Sequence, residues 1–228
     1  MPIDPFIGPL HGNRGDNRER PGAPAGLTIA ISRESGASGG SIARRVGQRL
    51  GWQVYTRELL EFLCANEAAR QSILSDIPLD ATVWVNTQLD RLRRDGRFPK
   101  DSDTDEMPRL LLSLASRGQV LVVGGGAGYY LPREISLHVR IIAPRTNRVA
   151  HMADWLRLSP EEAARQVQMR DERRAEFLLK RFGMRSAEPY DFDLVLNSGL
   201  LSEDTCTEAI LAALKGKEAD GQPDSRLD

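Results

Sequence analysis

The stretch ISRESGASGGSIARR, Ile31 to Arg45, runs from an apolar segment through a Gly- and Ser-rich one into a basic amphipathic pattern. Gly36, Gly39 and Gly40 can let backbone N–H groups turn inward around an anion. A helix starting there would add the positive end of its dipole. Such a cradle suits phosphate. Ser35, Ala37 and Ser38 complete it, and Ser41 could offer its hydroxyl to Mg2+. The Lys that usually reaches the β- and γ-phosphates from such a loop is absent; the cations at hand are Arg33, Arg44 and Arg45. The competing reading is a Gly-rich turn in which Ser41 caps a helix.

A second set of cations lies far along the chain. Arg170, Arg174 and Arg181 fall on one face of a helical pattern, with Arg173 and Lys180 nearby. Paired guanidinium hydrogen bonds are suited to clamping phosphoryl oxygens. A solvated basic face balanced by Asp171 and Glu176 is the alternative. The run Gly124-Gly125-Gly126-Ala127-Gly128 invites a dinucleotide reading, but Tyr129 stands where the third glycine of that fingerprint belongs. The acidic ribose ligand about 20 residues on is also missing.

The chain that must position these residues has 228 residues, 40% hydrophobic and 28% charged, with a net charge of −1. That near-neutral balance argues against a broad nucleic-acid footprint and leaves room only for a local basic patch. Two cysteines, Cys64 and Cys206, make no disulfide framework, lack CxxC spacing and read as reduced, buried thiols. His11, His138 and His151 lack metal-ligand spacing. No apolar run approaches the roughly 20 residues of a membrane span, and the N-terminus lacks a signal peptide's apolar core. The expectation is a cytoplasmic protein working on a small molecule, without membrane or nucleic-acid polymer.

Strand and helix signals alternate. Strands are predicted at 27–31, 53–55, 119–123, 137–142 and 194–196, and helices at 41–50, 58–66, 81–94, 107–117, 147–156, 159–182 and 203–214. The helix opening at Ser159-Pro160-Glu161-Glu162 carries a capping-box pattern, and Gly183 is its C-cap. Unbroken apolar strands such as QVLVV, set between helices, predict a parallel sheet covered on both faces. Ligands of such sheets bind at the carboxyl ends of the strands, where the loop after Ile31 falls. Residues 97–106 read as a mobile surface loop. The Pro- and Gly-dense residues 1–25 and the polar residues 216–228 read as disordered tails, leaving one domain over 26–215.

The runs IAISRESGASGGSIARRVGQRLGW, VYTRELL, VLVVGGGAGYYLPRE and YDFDLVLNSGLLS, in this order and spacing, resemble the cytidylate kinase-like branch of the nucleoside monophosphate kinases. The resemblance covers about residues 27–214. It implies an α/β P-loop kinase fold with a parallel sheet flanked by helices, a helical acceptor-binding insertion over about 78–117, and a lid over about 159–185. It implies ATP and Mg2+ as cofactors, with phosphates held by Arg33 and Ser35 to Ser41 and the metal near Ser41. Arg170, Arg174 and Arg181 would stabilise the transferring phosphoryl group. Thr56, Arg57, Gly124, Gly125 and Gly126 would face the acceptor.

Four positions depart from that family's pattern. Gly39 stands in place of the loop Lys, Gly125 in place of an Arg that grips the acceptor phosphate, Gly126 in place of an Asp that reads cytosine, and Thr56 in place of an Asp. The donor half of the site thus reads as retained and the acceptor half as altered. The expected function is ATP-dependent phosphoryl transfer to a nucleoside monophosphate or a related small phosphate acceptor; the alternatives are a nucleotide-binding pseudokinase or regulatory module without transfer and, behind it, a P-loop-like binder of another anion, as in sulfotransferase-like proteins.

Overall fold

The structure, a computed structural model, describes Pro24 and residues 26–75, 77–96, 106–184 and 187–220. Five strands, β1 (Thr28–Arg33), β2 (Gln53–Thr56), β3 (Val120–Val123), β4 (Ser136–Ile142) and β5 (Leu194–Asn197), form one sheet in the order β2-β3-β1-β4-β5. Every pairing is parallel. The α/β class and parallel sheet are those the sequence pattern predicts.

The apolar runs of the central strands β1, β3 and β4 are buried on both sides. Val120 and Val122 of β3 pack into a cluster with Leu60, Leu89, Leu110, Leu111 and Leu114. Leu121 and Val123 face the opposite cluster, with Ile42, Val46, Val139, Ile141 and Ile210. A side-chain period of two therefore serves two cores, which is why QVLVV has no polar alternation.

Helix α1 (Gly39–Leu50) follows β1 and α2 (Arg57–Ala65) follows β2. Helices α4 (Leu79–Arg94) and α5 (Glu106–Arg117) pack on each other within the span read as an insertion. Helix α7 (Arg145–Leu156) pairs with α8 (Pro160–Phe182) around Met152, Ala163 and Val167. Both halves of the capping box form: Ser159 Oγ accepts from Glu162 N at 3.3 Å, and Glu162 Oε2 accepts from Ser159 N at 3.0 Å. Gly183 closes the helix in the left-handed region.

Three differences from the sequence pattern have local causes. A separate helix α3 (Glu67–Leu74) follows α2; Asn66 restarts the chain by accepting from Ala69 N at 2.9 Å. A four-residue helix α6 (Ala127–Tyr130) follows the glycine run. The last helix, α9 (Glu203–Asp220), continues past the expected start of the tail at 216, and Lys217 is tied to Asp193 at 2.9 Å. The rest of that tail (221–228), the N-terminal tail apart from Pro24, and the loop at 97–105 lie outside the described residues. Among the described residues no helix is long and apolar enough to cross a membrane. Both cysteines are free; Cys206 is buried and Cys64 half-buried.

Candidate active site

The site grows from the carboxyl end of β1, at the centre of the sheet. Glu34 N still donates to Ile141 O of β4 at 3.0 Å, so the strand holds its register up to the loop. The chain then turns sharply: Ala37 N donates to Glu34 O, Gly36 has φ 81° and Ser38 has φ 53°. A Cβ at Gly36 would overlap Arg148 O, so only glycine lets the loop lie against the α7 backbone. Among the described residues no side chain caps α1, and its first turn carries no acidic residue. The leading amides of α1 are therefore left for an anion.

One loop amide is already engaged by a carboxylate. Ser35 N donates to Asp171 Oδ1 of α8 at 3.3 Å. Asp171 also receives Arg148 at 2.5 Å and Arg174 at 3.0 Å. Arg148, whose side chain is 12% exposed, reaches Ser35 O at 3.2 Å and Glu34 Oε2 at 3.4 Å. These residues join the loop to the α7–α8 pair. In the sequence Asp171 reads only as a charge-balancing neighbour, and Arg148 does not stand out at all. The R-D-x-x-R spacing at 170–174 hints at the first, while nothing local signals the second.

Beside the loop lies a cavity of about 530 Å3, within the range of small-molecule sites. Its walls are the glycine run 124–128, α2 with Arg57, Glu61 and Cys64, Met107 of α5, Arg174, Phe177 and Arg181 of α8, and Arg33. Arg57 is paired to Glu61 at 2.7 Å, and Glu106 to Arg70 at 3.3 Å. Arg181 contacts the Tyr130 hydroxyl and sits 5.8 Å over that ring. Phe182 closes the corner against Tyr129 (4.6 Å) and Tyr130 (5.1 Å). Burial depresses the Arg174 guanidinium below its ordinary range, against the pull of Asp171.

The cavity brings together Arg33, Arg57, Gly124, Gly125, Gly126, Arg174 and Arg181 from the predicted set. Arg170 is outside its lining but close enough for its charge to act on Arg33. The residues Ser35 to Ser41 form the separate loop cradle. Thr56 serves as the N-cap of α2, accepting from Leu59 N at 3.4 Å, and does not line the cavity. Gly124, Gly125 and Gly126 all have positive φ, at 85°, 63° and 79°. A Cβ at Gly125 would meet Leu60 Cδ1 at 3.0 Å, so a side chain there, the Arg of the family pattern included, would be strained on this backbone. Among the described residues no group of three His, Cys, Asp or Glu could hold a metal ion alone. Chemically, an amide cradle beside an arginine-lined, partly aromatic cavity can hold two anionic groups close together and neutralise charge between them.

The sequence pattern of the cytidylate kinase-like family matches this chain over residues 28–200. Among solved structures, an uncharacterized protein from Eubacterium ventriosum ATCC 27560 is similar, with a TM-score of 0.61 at 16% identity, covering 83% of this chain and 98% of that one. The YorR protein of Bacillus subtilis, in complex with phosphorylated GDP, gives 0.48 at 9% identity over 85% and 98%. Shikimate kinase from Bacteroides thetaiotaomicron gives 0.45 at 11% identity over 83% and 98%. At these identities the likeness is one of fold. No curated protein matches the chain.

Proposed function

The chain belongs to the cytidylate kinase-like family, and we propose that it transfers the γ-phosphoryl group of ATP to a small phosphate-bearing acceptor, a nucleoside monophosphate or a close chemical relative. One observation carries the reading: the uncapped start of α1 after a sharply turned loop lies beside a cavity walled by Arg33, Arg57, Arg174 and Arg181.

In this reading the amides of residues 35–41 bind the ATP phosphates, and the cavity binds the acceptor. Phosphoryl transfer needs positioning and charge neutralisation more than covalent chemistry. Arg174, with Arg170 and Arg181, neutralises the charge spread over the transferring group. Phe177 and Phe182 of α8, against Tyr129 and Tyr130, keep water from competing as acceptor. The Ser41 hydroxyl makes no hydrogen bond among the described residues, which fits a place for Mg2+ arriving with the nucleotide. When bound, that ion would supply positive charge to the β- and γ-phosphates. The backbone at Gly125, which would strain any side chain placed on it, and the lack of a side chain at Gly126 support an acceptor other than CMP.

The test is transfer of label from γ-labelled ATP, with Mg2+, to CMP, dCMP, UMP, AMP, GMP or water, with Ser41→Ala as the blank. Transfer to at least one nucleotide that falls in Ser41→Ala is expected. ATP bound in the same tubes with transfer to none of the nucleotides overturns the proposal in favour of a binding module.

A further inference from the structure

The sequence pattern assigns Arg33 to the donor phosphates, as a stand-in for the missing loop Lys. Its side chain runs from the loop to the cavity. The stem lies along the start of α1: a Cβ at Gly39 would stand 2.7 Å from Arg33 Cβ and 2.9 Å from Cγ. The head crosses to β3, on the side of the sheet that carries β2 and α2. A Cβ at Gly124 would overlap Arg33 Nη1. Glycine at both positions leaves the channel the side chain occupies, and the residue lines the cavity.

The guanidinium has no hydrogen-bond acceptor and no ion-pair partner among the described residues. Its charged surroundings are Arg174, Arg57 and Arg170, with Glu58 partly offsetting them. Burial, followed by these cations, pushes its pKa down to about 10. A half-buried cation among cations, with Glu58 the carboxylate nearby, gains when an anion joins it. The arginines that line the cavity with it differ on this point, although Arg170, beyond the lining, is likewise without a partner among the described residues. Arg57 has Glu61, Arg174 has Asp171, and Arg181 has the Tyr130 hydroxyl.

We infer that Arg33 is the anchor for the phosphate monoester of the acceptor, and that it selects acceptors carrying a phosphate over those carrying only hydroxyl groups. That the ligand is an acceptor rests on the kinase reading; the site itself, a phosphate-monoester subsite over Gly124, does not. Met107, Phe177 and Phe192 on the same cavity wall leave an apolar surface for the rest of the ligand.

The experiment uses the full chain and ribose 5-phosphate, a phosphate monoester without a base, beside ATP. The 15N resonance of Arg33 Nε is assigned by its loss in Arg33→Lys, which keeps the stem on Gly39. Ribose 5-phosphate is expected to shift that resonance and ATP to leave it in place. Arg33→Met is expected to weaken ribose 5-phosphate roughly ten- to hundred-fold, the range for a hydrogen-bonded charged group, with ATP affinity unchanged within about twofold. If Arg33→Met does not fold, the wild-type titration decides alone. A shift caused by ATP, or none caused by ribose 5-phosphate, overturns the inference. Neither readout needs phosphoryl transfer, so a chain that phosphorylates no acceptor would sink the kinase reading and leave this subsite standing.

Discussion

His138 gives the clearest quantitative handle on the fold. It lies in β4 with 1% of its surface exposed. Ser136 Oγ donates to Pro132 O at 2.6 Å, so at 2.7 Å it accepts from His138 Nε2–H. The tautomer is thereby fixed, and Nδ1 holds a lone pair with no partner among the described residues. Protonating Nδ1 would bury a charge whose new N–H finds no acceptor. Burial first, then the charge of Arg133, pushes the pKa from 6.5 down to about 4. The unfolded chain binds this proton as pH falls through 6.5, while the folded one does not until about 4. Stability is therefore whole above pH 6.5 and drains between 6.5 and 4. At about 1.4 kcal/mol for each pH unit across that window the loss comes to about 3–4 kcal/mol. The assay is urea unfolding at steps from pH 7.5 to 4, on the wild type and on His138→Gln, whose amide can still donate to Ser136. Asp193, held below its ordinary 3.8 by the His138 backbone N–H and Lys217 against its own desolvation, gives up its contribution beneath this window in both proteins. Wild type and variant curves that run parallel over this window would refute the argument.

Two further outcomes bear on the site and its scaffold. Arg174→Ala should lower turnover by about 10³-fold or more, as loss of an arginine clamp does in related chemistry, and unchanged steady-state rates would remove Arg174 from the reaction. Gly125→Ala should cost about 1–2 kcal/mol in urea unfolding, because φ is 63° and the new Cβ meets Leu60 at 3.0 Å; a neutral result would mean the loop relaxes freely.

Much of the fold is legible because its causes are local. The unbroken apolar run at 119–123 marks a strand between two cores, and Ser159, Glu162 and Gly183 mark both ends of α8. The loop at 35–41 can be read from its glycines and the elements on either side. The rest depends on contacts the sequence does not order. Arg148 and Asp171 meet only because α7 folds back on α8. The direction of Arg33 depends on Gly39 and Gly124, far apart in the chain, both lacking a Cβ. Thr56 reads as a replacement in a binding pattern, and the structure shows it capping a helix. The sequence places an arginine face at 170, 174 and 181. It does not show that the three divide, with Arg174 and Arg181 on the cavity and Arg170 beyond its lining.

The carboxylate of Asp171 on the Ser35 amide has a consequence for how any phosphate enters. The cradle is not bare at that amide, so an incoming anion binds there by exchange and not by simple addition. Its apparent affinity is its intrinsic affinity less the cost of evicting Asp171. The same eviction takes the Asp171 carboxylate from Arg174 and from Arg148, which keeps Glu34 at 3.4 Å, leaving two guanidinium groups to turn to the newcomer. Entry of a phosphate and release of the arginines are then one event, and an uncharged molecule of the same shape would have nothing to offer in the trade.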